Sequence, residues 1–154
     1  MKIRPLQEQE IPAVLELWSA ADAEPSVTDT VEDISRVLNR EHAAFLVAEI
    51  EGRIVGSIIA TFDGWRGIVY RLAVHPDQRR RGIASELTRR AEDAFRKWGV
   101  RRAIAIVNTE RPVAMGFWTA AGYTSDGMTR FYKNIQARAT IPSDPAPSVR
   151  KDTA

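Results

Sequence analysis

Apolar residues recur at helical spacing early in the chain, where Ile11, Val14, Leu15 and Trp18 fall together with Glu10 and Glu16 between them. The preceding IRPLQEQE reads as a short strand running into a helix start, and Pro12 suits a first turn, where its missing amide costs nothing. DAEPSVTD at 22–29 breaks the pattern with acids, proline and small polar residues. A second helix is signalled by Thr30 with Asp33 three places on, and by Val31, Ile34, Val37 and Leu38 on one face; it ends near Asn39. Then the period changes. AFLVAEI at 44–50, IVGSIIATF at 54–62 and IVYRLAV at 68–74 read as strands. Glu51-Gly52 and DGWRG at 63–67 join them with connections short enough for antiparallel hairpins. The first two strands carry few charges, as inner strands of a covered sheet do.

His75-Pro76-Asp77 stops the third of these strands. From Gly82 to Trp98, a stripe of Ile83, Leu87, Ala91, Ala94, Phe95 and Trp98 predicts an amphipathic helix, with Arg89, Arg90, Asp93 and Lys97 off the stripe. Gly99 stops it, and RAIAIVN at 102–108 predicts a strand that the intervening helix makes parallel to 68–74. Pro112 to Ala121 predicts a shorter helix closed by Gly122, and MTRFYKN at 128–134 a last strand. The order is βααβββαβαβ, a mixed α/β (α+β) fold with helices packed on the faces of one sheet. No internal repeat is present. Three prolines, at 142, 145 and 147, and few large apolar residues mark the end of the chain as a loose tail. The expected organisation is one domain over 1–134 and a tail over 135–154.

Composition narrows the function. A chain of 154 residues, 44% hydrophobic, fits a single core. Its 22 Lys+Arg nearly cancel 20 Asp+Glu, which argues against a dedicated nucleic-acid binder despite the pI of 9.2. The absence of cysteine excludes disulfide scaffolds, thiolate zinc sites and covalent acyl-cysteine chemistry. His42 and His75 are the only imidazoles, which argues against a histidine metal site. No apolar run is long enough to cross a bilayer and MKIRPLQEQE lacks the apolar core of a signal peptide, so a soluble, cytoplasmic protein without membrane attachment is expected.

The sharpest feature is VHPDQRRRGIASELTRRAEDAF at 74–95, where a strand ends, a basic turn follows and a helix begins close to Gly82. Free amides at a helix N-terminus bind phosphate-like anions. Gly82 permits dihedrals denied to other residues, Ala84 stays small, and Arg79, Arg80 and Arg81 add charge that can fork onto phosphate oxygens. The competing reading is a solvated basic turn that merely opens an amphipathic helix. The turn is not a P-loop, since no Gly-Lys-Ser/Thr follows, and it lacks the glycine triplet of a dinucleotide fingerprint.

Arg79-Arg80-Arg81-Gly82-Ile83-Ala84 resembles the R/Q-x-x-G-x-G/A acyl-CoA signature of the GNAT superfamily of N-acetyltransferases. Leu72-Ala73-Val74-His75-Pro76 lies before it as that family's splayed fourth strand does. Asn108, Ala114, Phe117, Gly122 and Tyr123 resemble the second family block, and the likeness spans residues 2–133. FLVAEIEGRIVGSIIATFDGWRG at 45–67 is similar to a subgroup of small bacterial acetyltransferases. The resemblance implies acetyl-CoA as cofactor, an amine-bearing acceptor (small molecule, peptide or protein) and a homodimer as one oligomeric state. It implies that the amides around Arg79 to Ala84 hold the pyrophosphate, that Leu72, Ala73 and Val74 line the pantetheine arm, and that Asn108, Phe117 and Trp118 lie against the cofactor. The amide of Leu72 or Ala73 would polarise the thioester carbonyl.

The pattern departs from the family at proton transfer. Relatives commonly carry a tyrosine four residues before the glycine at 122, and here that residue is Trp118, whose indole has no acid chemistry. Tyr70, Tyr123 and Tyr132 are other hydroxyl donors, and a thiolate also leaves readily without one. Tyr70 and Arg71 stand where relatives often place a carboxylate. Asp22 and Glu24, between the first two helices, are expected to recognise the acceptor, together with Trp18, Trp65 and Arg66; Glu110 is a further acid. A core role competes for Trp18 and Trp118, and a structural one for His75. A non-catalytic acyl-CoA-binding or sensory domain is the alternative reading.

Overall fold

In the computed structural model, which describes residues 1–136, the central strands carry the burial that the sequence pattern requires. Val55 to Ala60 are all buried, so the strand containing them is covered on both faces. Five strands, β1 (Lys2–Pro5), β2 (Ala43–Ile50), β3 (Arg53–Phe62), β4 (Gly67–Val74) and β5 (Ala103–Ala105), form one sheet in that order. The first four pair antiparallel and β4 pairs parallel to β5.

The first helical pair is α1 (Ile11–Ala20) and α2 (Val31–Leu38). Thr30 caps α2, its hydroxyl accepting from the Asp33 amide at 3.1 Å, as the Thr30/Asp33 spacing predicts. These helices cover one face of the sheet around Ile11, Val14, Trp18, Ile34, Phe45 and Val47. The second pair, α3 (Ile83–Lys97) and α4 (Pro112–Ala120), covers the other with Ile58, Val69, Ile83, Leu87, Phe95 and Trp118. At Gly56 a Cβ would meet Ile83 Cγ2 at 2.9 Å, so the bare backbone of β3 is what lets α3 seat. No described helix is long and apolar enough to cross a membrane.

The expected mixed, mostly antiparallel sheet with helices on both faces is the fold observed. One strand is shorter than predicted and one is not formed. β5 covers three residues of the predicted 102–108, because its ladder with β4 stops at Val69–Ala105. Past that point β4 bulges away, leaving 106–108 without a neighbour on that side. The predicted strand at 128–134 is not formed; 124–136 run irregularly and exposed, with no strand alongside to complete a ladder. The expected tail lies, from residue 137 on, outside the described residues.

Candidate active site

β4 holds the site because its geometry is broken in the middle. Ile59 pairs with Tyr70 and Ser57 with Ala73, so Arg71 and Leu72 together face the single residue Ile58. This is a β-bulge, and Arg71 sits in it with φ of +53°. The bulge is pinned from below. The Ser57 hydroxyl, fully buried, donates to the Arg71 carbonyl at 2.9 Å and accepts from the Trp18 indole at 2.9 Å. Since β4 and β5 pair only at Gly67–Val69, the residues from the bulge to Val74 border a gap between the two strands.

The gap leads to the turn at 75–82. His75 closes β4, its amide bonded to the Val55 carbonyl and its Nδ1 accepting from the Asp77 amide, so its role is that of a cap. Gly82 has φ of +76°, and the space where a Cβ would project is open. α3 follows with no side chain capping it, and its first internal bond runs from Glu86 N to Gly82 O. The amides of Ile83, Ala84 and Ser85 therefore lack a helical acceptor and face outward at the positive end of the dipole. Arg79, Arg80 and Arg81 are all exposed; Arg79 donates to the carbonyls of Val74 and Ala21 and Arg81 to Gln78. The Glu86 carboxyl, held down to about 2 by hydrogen bonds from Arg89 and Arg90, stays ionised with its charge matched on α3 itself.

Between α3 and α4 lies a cavity of about 290 Å³, lined by Ser85, Thr88, Glu92, Phe117 and Ala120 among others. The Thr88 hydroxyl is buried there without a hydrogen-bond partner. An uncapped helix start, an open position at Gly82, a strand gap and this cavity together fit an elongated anionic ligand with an apolar arm.

On the opposite side, the loop from Ala21 to Thr30 is tied across the gap. Arg71 donates to the Glu24 carbonyl at 2.7 Å and to the Asp29 carboxylate at 2.5 Å, while its guanidinium lies 4.7 Å over the Trp18 ring. Asn108 donates to the Glu24 carboxylate at 3.1 Å and accepts from the Glu110 amide. Asp22 takes φ of +56° at the end of α1, with its carboxylate exposed. These bonds tie Asn108, Glu24 and β4 to one another.

Other expected site residues lie elsewhere. Trp18 is buried and stacked on Phe45 at 6.0 Å, with its indole N–H on Ser57 and its ring against the Arg71 guanidinium. Trp118 is likewise in the core, edge-on to Phe117 and Tyr123, so Phe117 is the aromatic left to line the cavity. Trp65 and Arg66 stack on each other at the exposed hairpin before β4, at the far end of that strand from the basic turn. Tyr70, beside the bulge, has its hydroxyl pushed up by burial and by the charge of Asp63. Tyr123 donates to Glu92, and burial with that charge pushes its hydroxyl up to about 12. Ser57, Asp29 and Thr88 were not visible as site residues in the sequence. A lone hydroxyl in the apolar run IVGSIIATF is the one local signal that could have marked Ser57.

A model of the acetyltransferase (GNAT) family matches residues 11–123. The chain belongs to that family. An acetyltransferase of Pectobacterium atrosepticum is 37% identical to this GNAT chain over 139 residues, 90% of this chain and 99% of that protein. An acetyltransferase of Yersinia pseudotuberculosis is 37% identical over 135 residues, 88% of this chain and 96% of that one. Among solved structures, the apo aminoglycoside 6'-N-acetyltransferase AAC(6')-IG from Acinetobacter haemolyticus aligns with a TM-score of 0.73 at 20% identity, covering 88% of this chain and 100% of that one. Aminoglycoside N-acetyltransferase AAC(6')-Iy in complex with CoA aligns at 0.72 and 19% identity, covering 88% and 95%. At such identities the likeness to these structures is one of fold.

Proposed function

We propose that the protein transfers an acetyl group from acetyl-CoA directly to a primary amine of a small molecule, peptide or protein. The observation that carries this reading is the gap between β4 and β5 ending at an uncapped α3, in a chain of the GNAT family. The CoA complex of AAC(6')-Iy, similar in fold, supports the ligand class. Acetyl-CoA supplies an acyl group activated as a thioester; the remaining work falls to the chain.

In this reading the amides of Ile83 and Ala84, open beyond Gly82, hold the pyrophosphate, with Arg80 and Arg81 adding screened charge. Arg79 acts instead as a brace between β4 and the end of α1. Leu72, Ala73 and Val74 give backbone groups to the pantetheine arm, and Phe117 covers it from α4. The Leu72 or Ala73 amide, set by the bulge, donates to the carbonyl oxygen as charge develops there. Asp22 and Glu24 attract the protonated amine at the mouth, and Asn108 fixes Glu24. Tyr70, next in sequence to the bulge, is the candidate hydroxyl for protonating the leaving sulfur. With no cysteine in the chain, no acyl-cysteine stage intervenes.

One observation favours a second reading, a non-catalytic acyl-CoA-binding or sensory domain: Trp118 is buried and the Tyr123 hydroxyl is committed to Glu92, so neither serves as a free acid. Calorimetric titration with acetyl-CoA and desulfo-CoA tests what both readings share. Saturable binding is expected, and none at millimolar ligand sinks both. Steady CoA release with any member of an amine and peptide panel supports the transferase; tight binding with no release across the panel supports the second reading.

A further inference from the structure

Cations are matched unevenly over the surface of this molecule. On α3, Arg89, Arg90 and Arg96 pair with Glu86, Glu92 and Asp93 of the same helix. At the start of β4, the end away from the basic turn, Arg40, Lys97, Arg101 and Arg102 are exposed and Arg66 is partly so. Among the described residues, none of these five makes an ion pair. Two acids stand among them, Glu41 and Asp63. Asp63 is committed to its own turn, its carboxylate accepting from the Trp65 and Arg66 amides at 2.8 and 2.7 Å.

These positions close on one another. The Gly67 amide bonds to the Arg102 carbonyl and the Phe62 amide to the His42 carbonyl, both at 3.0 Å. The His42 ring meets Phe62 at 5.9 Å and Trp98 at 5.7 Å, which joins the loop before β2 to the end of α3. Between them a cavity of about 290 Å³ is lined by Arg40, Glu41, His42, Phe62, Asp63 and Gly64. Trp65 stands beside it at the hairpin tip, 72% exposed, with the Arg66 guanidinium 4.0 Å over one side of its ring. An exposed apolar residue is ordinary on its own. Here the ring is held out on a turn that Asp63 fixes, backed by one cation and set among four more.

We propose that this end of the molecule docks an acidic segment of a partner protein, with Trp65 as the anchor and the five cations receiving carboxylates. Trp and Arg are the residues that dominate binding energy at protein interfaces. A nucleic acid would require a basic track continuing over the surface. Instead the unmatched cations stop at α3, where Glu92 and Asp93 match Arg96, and the whole chain carries only +2. The eight residues of β4 put this surface roughly 25 Å from the basic turn, so the partner and an anion at Gly82 can be bound together.

The probe is a short fluorescein-labelled peptide of glutamates around a central phenylalanine, followed by fluorescence anisotropy with the full chain. Saturable binding is expected, weakening as salt rises. Trp65→Ser, and separately Arg101→Glu with Arg102→Glu, are each expected to weaken it by about tenfold or more while far-ultraviolet circular dichroism stays unchanged. Lys2→Glu with Arg53→Glu makes the same change in total charge at exposed positions on the other end of the sheet, and is expected to leave the affinity within about twofold of the unaltered chain. Absence of saturation at millimolar peptide, equal affinity in Trp65→Ser, or an equal loss in the Lys2/Arg53 variant would overturn the proposal. So would tighter, Trp65-dependent binding of a labelled single-stranded RNA, or displacement of the peptide by acetyl-CoA. Every one of these readouts is independent of acetyl transfer.

Discussion

Ser57 shows how one hydroxyl can set a site. It is fully buried in an otherwise apolar strand, where an unsatisfied hydroxyl is costly, and it is satisfied on both sides by Trp18 and by the carbonyl of the bulge. Ser57→Ala would leave the indole N–H and the Arg71 carbonyl buried without partners. We expect a loss of about 1–3 kcal/mol in stability by urea denaturation with an unchanged m-value. An equal midpoint would show that the bulge does not depend on this pin. Little of this was legible in the sequence, because the partners lie 39 and 14 residues away. For the same reason Trp18, whose helical stripe was legible, read as a candidate acceptor contact until its indole was seen to face Ser57.

At the scale of elements, the join of β4 to α3 was the most legible part of the molecule. The stop at His75-Pro76, the glycine and the apolar stripe of α3 are all local signals, and the structure realises each of them. Their consequence is testable at Gly82, whose φ of +76° a β-carbon disfavours by roughly 1–2 kcal/mol and whose outward space a longer side chain would fill. Gly82→Glu adds a negative charge before the free amides of α3. The variant is expected to remain folded and to lose acetyl-CoA binding in the calorimeter; unchanged affinity would move the site away from this turn. Strand ends were less legible. The apolar pattern of 102–108 and 128–134 marks both as strands, but a ladder needs a neighbour, and the bulge in β4 removes one that no local pattern announces.

The whole molecule is one sheet between two cores, and its far corner is closed by Tyr123 reaching Glu92. Burial and that carboxylate raise the hydroxyl from an ordinary 10.0 to about 12. The folded state therefore holds the proton more tightly than the unfolded chain. The stabilisation is fully present below pH 10 and is lost as pH rises through about 12. Melting temperature is expected to fall across this range, and to fall less steeply in Tyr123→Phe, with Tyr70 supplying part of the remaining slope. Equal slopes in the two proteins would remove Tyr123 as the cause. By itself, the sequence determined the four helices and the strands β1 to β4, the Thr30 cap, the basic turn at Gly82 and the exclusion of thiol chemistry, because these follow from neighbours along the chain. Tertiary structure alone decided that Arg79 braces β4 to the end of α1, that Arg71 ties the loop after α1, that both Trp18 and Trp118 are buried, and that 128–134 forms no strand. Burial and pairing depend on residues dozens of positions apart, and no local pattern encodes which of them will meet.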